Sequence, residues 1–83
     1  MEFIKDLDTF RDSLSRREVR FCFVKKDGSL RDAWGTTCPD LIPEADHPKG
    51  KRRPSPAVVT FFDTRKQAWR CLRRERFVAM IIE

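Results

Sequence analysis

The chain has 83 residues, 37% of them charged, with a formal net charge of +5, seven Phe, two Trp and no Tyr. That length allows one small domain whose compact core must use most of its large apolar residues. Three cysteines, Cys22, Cys38 and Cys71, with no close pair, argue against a closed disulfide framework, and the longest apolar run, Phe77–Ile82, is far too short to cross a bilayer as a helix.

At the N-terminus, Phe3, Leu7, Phe10 and Leu14 recur at helical spacing. This predicts an amphipathic helix over about 2–16, with Asp6 and Asp8 toward its positive end and Arg16 and Arg17 toward its negative end. The same aspartates interrupt any secretory apolar core, so a reduced, cytoplasmic protein is expected. A helix this short is marginal alone and needs a surface to cover.

From Glu18 the apolar period changes to two, through Val19, Phe21 and Phe23. That predicts strands over about 18–26 and 29–36, joined at Asp27-Gly28, a strong tight-turn signal. Gly35 marks a bulge or a close approach in the second of them. All five prolines fall within residues 38–56, which predicts a loop without regular structure, pinned to the core by Leu41 and Ile42. Strands then follow over about 57–63, 67–75 and 77–82. The fold class is mainly β: a small five-stranded antiparallel barrel of SH3/Sm-like order behind an N-terminal α-helix, in one domain spanning 1–83. The expected core is Phe3, Leu7, Phe10, Leu14, Phe21, Phe23, Leu30, Trp34, Val58, Leu72, Phe77 and Ile81.

Charge is unevenly placed. Residues 1–48 carry a net −2 and residues 49–83 a net +7. Such a basic half suits an anionic partner or a solvated surface. In the fourth strand arginine falls on both faces, at Arg70, Arg73 and Arg74, with Arg76 just beyond. Side chains two apart on a strand stand about 6.6–6.8 Å apart, a spacing that could follow the phosphates of an extended single strand. Arginine also pairs bidentately with phosphate. The alternative role is ion pairing that protects an edge strand. Lys51, Arg52 and Arg53 form a second basic cluster in the proline-rich loop. Phe61 and Phe62 must face opposite ways: one enters the core, and the other is covered by the helix or exposed for base stacking. Phe62 and Trp69 are the candidate stacking residues.

Catalytic and metal chemistry find little support. Cys22, Cys38, Cys71 and His47 match no zinc-module spacing. His47 has no nucleophile at suggestive spacing, and no glycine-rich phosphate loop is present. No catalytic residue, metal or cofactor is assigned.

The stretches KKDGSLRDAWGT, DLIPEADHPKG and VVTFFDTRKQAWRCLRRE resemble WYL_2, a family of short bacterial proteins with an Sm-like SH3 β-barrel fold, formerly a domain of unknown function. The resemblance covers about Val19–Ile82; its most specific parts are the D-G-x-L-R hairpin and the F-D…W-R step. More distantly, Val59–Asp63 looks like the aromatic strand of the WYL domain. Arg70, Arg73 and Arg76, followed by Phe77, look like its arginine strand; the Trp-Tyr-Leu trio is missing. WYL domains are regarded as ligand-sensing or nucleic-acid-contacting modules of regulators. The leading expectation is therefore non-enzymatic, weakly specific binding of single-stranded DNA or RNA, or of another polyanion. The second is a regulatory module for a small ligand or protein partner, assembling with copies of itself through strand edges such as Phe77–Ile82. No membrane partner is expected.

Overall fold

A computed structural model gives the structure and describes residues 1–47 and 56–82. The elements in chain order are β1 (Glu2–Ile4), α1 (Leu7–Leu14), β2 (Val19–Val24), β3 (Leu30–Thr36), β4 (Val58–Asp63), β5 (Ala68–Arg73) and β6 (Phe77–Ile82). Short 3₁₀ turns lie at Pro39–Leu41, Glu44–Asp46 and Arg74–Arg76.

The helix begins five residues later than its apolar period predicts. Asp6 caps it, its Oδ2 accepting from the Thr9 amide at 3.1 Å. The residues before the cap form β1, which pairs with β6 through Glu2↔Ile82, Phe3↔Ile81 and Ile4↔Met80. Phe3 therefore leaves the helix face expected for it and stands 59% exposed, while Ile4 packs against the core. At the other end the Leu14 carbonyl accepts from the Thr37 amide at 2.8 Å, and the Thr36 hydroxyl lies 2.9 Å from it. β3 thus satisfies a helix end that would otherwise lack partners. Arg11 ties the same helix to the start of β4, its Nη2 donating to the carbonyls of Pro56 and Val58.

The sheet has six strands rather than five, all antiparallel, in the order β1-β6-β2-β3-β4-β5. The last strand, β6, returns to lie between β1 and β2 and is hydrogen-bonded on both sides. Phe77–Ile82 is consequently no free edge; β1 and β5 are the outer strands. The β2–β3 turn is built as its sequence predicts. Gly28 has φ +88°, and Asp27 Oδ1 accepts from the Ser29 amide at 2.9 Å. β3 and β4 pair only at Gly35↔Asp63 and Thr36↔Phe62, so beyond Gly35 the two strands diverge.

Curling of the sheet encloses Phe10, Leu14, Val19, Phe21, Val59, Phe61, Leu72 and Met80. Full burial of such side chains contributes about 1.5–3 kcal/mol each. Phe21 is central, with ring centroids of Phe10 at 4.8 Å and Phe61 at 5.0 Å. Phe77 stacks on Phe10 at 4.4 Å but remains half-buried, as do Leu7, Phe23 and Val58. Leu30, expected inside, is 66% exposed: it is the register partner of Val24 and points with it away from the Phe21 face. Trp34 also lies on that outer face, with the guanidinium of Arg20 5.2 Å and that of Arg65 4.5 Å from its ring centroid.

The proline-rich loop carries more order than expected. Proline at the first position of Pro39–Leu41 suits a helical turn. His47 Nε2 lies 2.9 Å from the carbonyl oxygens of both Pro39 and Ile42, so this nitrogen carries the proton and closes the loop. Ile42 is buried, whereas Leu41 is 48% exposed. Only one of the two expected anchors is used.

Candidate anion-binding groove

Where β3 and β4 diverge, a groove of about 630 Å³ opens between the tip of the β2–β3 hairpin and β5. Its cations are Lys25, Lys26 and Arg31 on one wall and Arg70, Arg73 and Arg76 on the other. Phe23, Val24, Val58 and Leu72 are its apolar lining residues, with Cys71 beside them, and among the described residues no Asp or Glu lines the groove.

Strand parity explains how the two walls meet. Arg31 is the register partner of Phe23, and Arg70 that of Phe61. Directly opposed residues share a face, and Phe21 and Phe61 define the inward one. Two arginines thus occupy inward-facing positions where apolar residues would extend the core. Their mutual field is felt at Lys66, in the β4–β5 turn. Its ammonium pKa is lowered by desolvation and then by Arg31 and Arg70, with Asp63 pulling the other way.

One carboxylate lies behind the groove. Asp63 is buried, its Oδ1 accepting from the amides of Arg65 and Lys66 at 3.0 Å each, and its Oδ2 lies 3.8 Å from Arg70 Nη1. It therefore builds the β4–β5 turn and partly compensates Arg70. The other five groove cations make no ion pair with a described carboxylate.

The structure gathers Arg70, Arg73 and Arg76 but separates Arg74 from them. β5 ends at Arg73, and the 3₁₀ turn that follows breaks the alternation assumed for a longer strand. The Arg74 amide donates to the Ala57 carbonyl at 3.0 Å, and its side chain is not part of the groove lining. Lys51, Arg52 and Arg53 lie outside the described residues. Phe62 is fully buried, its ring 5.6 Å from that of Trp69 in a T-shaped contact, so it presents no face to a base. The 39–47 loop, rather than the helix, meets this side of the sheet: Trp69 Nε1 donates to the Asp46 carbonyl at 2.6 Å. That bond holds the half-buried indole away from the groove.

Sequence reasoning missed Lys25, Lys26, Arg31 and Phe23 as site residues. The available signal was Arg31 on the inward parity of its strand; its convergence with Arg70 is a tertiary fact. Among the described residues no group of three His, Cys, Asp or Glu side chains is placed to hold a metal ion, and no helix is long and apolar enough to cross a membrane.

No curated protein and no solved structure matches the sequence. The sequence pattern of WYL_2, described as having an Sm-like SH3 beta-barrel fold, matches residues 7–78. That match spans α1, all of β2 to β5 and the start of β6, in agreement with the antiparallel sheet and its leading helix. The chain therefore belongs to the WYL_2 family.

Proposed function

We propose that this chain is a non-enzymatic module that binds single-stranded nucleic acid, with weak sequence specificity, through the basic groove. The observation that carries this reading is the convergence of Lys25, Lys26, Arg31, Arg70, Arg73 and Arg76 on one groove with no lining carboxylate among the described residues. Cations at this density attract a polyanion chiefly by releasing its counterions, a contribution indifferent to base sequence. The arginines add planar, forked donors suited to phosphate oxygens.

Titration of labelled single-stranded DNA and RNA at several salt concentrations tests the proposal. If all six cations neutralise a phosphate each, log K against log[salt] falls with a slope of about −4. No binding at low salt by the folded protein refutes it.

The groove also supports a second reading, a regulatory site for one small anionic ligand. Its 630 Å³ lies within the size range of single-ligand clefts. A saturable signal from mononucleotides, with no gain in affinity for longer strands, favours that reading.

A further inference from the structure

We infer that the groove seats an unpaired base on Phe23 and holds the flanking phosphates on its two cationic walls, an inference that rests on the nucleic-acid reading above. Among the described residues Phe23 is the aromatic member of the groove lining. It packs against the core from one side and is only half-buried. Leu72 shares the inward parity of Phe23, and Val24 and Val58 line the groove from the opposite parity. A site for phosphate alone gains nothing from such a floor, because phosphate oxygens need donors and hydration. A base has an apolar face and a π-system that an aromatic ring accepts whatever the sequence.

The other candidate rings are engaged elsewhere. Phe62 is fully buried, Trp69 is tied to the Asp46 carbonyl, and Trp34 carries the guanidinium groups of Arg20 and Arg65 against its ring. The placement of charge agrees. Lys25, Lys26 and Arg31 belong to the β2–β3 hairpin and Arg70 and Arg73 to β5, so the phosphates on either side of a seated base would meet cations from separate elements. A base paired within a duplex keeps both faces stacked and its edges occupied, so it cannot reach this floor. The ligand class that fits is a single strand with at least one unstacked base. The volume suits one or two nucleotides in the groove rather than a long tract.

Fluorescence anisotropy at low salt tests this with three probes: a labelled oligothymidine of about ten nucleotides, an abasic strand of equal length, and inorganic polyphosphate as competitor. The oligothymidine should bind about tenfold or more tighter than the abasic strand, in line with one base–aromatic stack. Polyphosphate should compete no better than the abasic strand at equal charge. Phe23→Leu, which retains an apolar residue against the core, should reduce oligothymidine affinity to the abasic level and leave abasic binding unchanged. Val58→Thr, at the groove edge, should narrow the same ratio if Phe23→Leu fails to fold. Equal affinity for base-bearing and abasic strands overturns the inference while leaving charge-driven binding in place. No binding of any probe overturns both readings.

Discussion

At Gly35 an added Cβ would sit 2.5 Å from Cδ2 of Phe61, a ring of the buried core. At Gly28 an added Cβ would meet nothing within 4 Å, but the backbone there has φ +88°. The two glycines are therefore required for different reasons, one for space and one for backbone conformation. Gly28→Ala should cost about 1–2 kcal/mol through the backbone alone. Gly35→Ala should cost about 1–3 kcal/mol through overpacking, and combining it with Phe61→Leu should recover part of that loss. Chemical denaturation of the three variants measures both effects. The cysteines divide in a similar way. Cys22 is half-buried, and its thiol pKa is raised by burial and by the Asp32 carboxylate. Cys71 is exposed and lines the groove. Iodoacetamide should label Cys71 well before Cys22, and a saturating oligonucleotide should slow labelling of Cys71 alone, as read by mass spectrometry.

Among the elements, α1 depends most on its flanks. Hydrogen bonds from the Thr9 hydroxyl and amide hold the Asp6 carboxyl below its ordinary pKa of 3.8. A depressed carboxyl pKa contributes stability that is present above the unfolded-state value and lost as pH falls through the folded-state value. Asp6→Ala should thus lower the melting temperature at neutral pH, and its difference from the unsubstituted protein should shrink once pH drops below about 3.8. Thermal melts from pH 7 down to pH 3 follow that convergence. β1 has a different role: it occupies the side of β6 that would otherwise be a long apolar edge. A three-residue strand carrying Glu2 replaces that edge, an arrangement that discourages open-ended sheet pairing.

For the whole molecule, the groove is a product of two hairpins rather than of one basic segment. Arg31 lies in the half of the sequence with net negative charge, yet it faces the same space as Arg70. Reversal of either arginine, as Arg31→Glu or Arg70→Glu, should weaken single-strand binding comparably. Each should make the salt slope shallower by about 0.7. Arg74→Glu, outside the groove lining, should change the slope less. Titrations at matched salt with circular dichroism as a folding control separate these outcomes. A large effect of Arg74→Glu with none from Arg31→Glu would place the binding surface on the outer side of β5 instead.

Local signals determined much of the fold. Period-two alternation with Asp27-Gly28 located β2 and β3, the Val58–Asp63 and Phe77–Ile82 runs located β4 and β6, and Gly35 announced a close approach. These were legible because strand alternation and turn chemistry are properties of neighbouring residues. Glu2–Ile4 forms a strand although Phe3 and Leu7 fit a helical period. Only the presence of β6 makes pairing there preferable to another helical turn. The candidate site was half legible. Arg70, Arg73 and Arg76 stand out in one strand, but Lys25, Lys26, Arg31 and Phe23 join them only because β3 and β4 part beyond Gly35. Burial likewise decided which aromatic could meet a ligand. Phe61 and Phe62 alternate in sequence, which leaves one for the core and the other for the helix to cover or a base to stack on; the 39–47 loop meets that second face instead, and Phe62 is fully buried there. Phe23 is left half-open at the groove because the strands that would have covered it diverge.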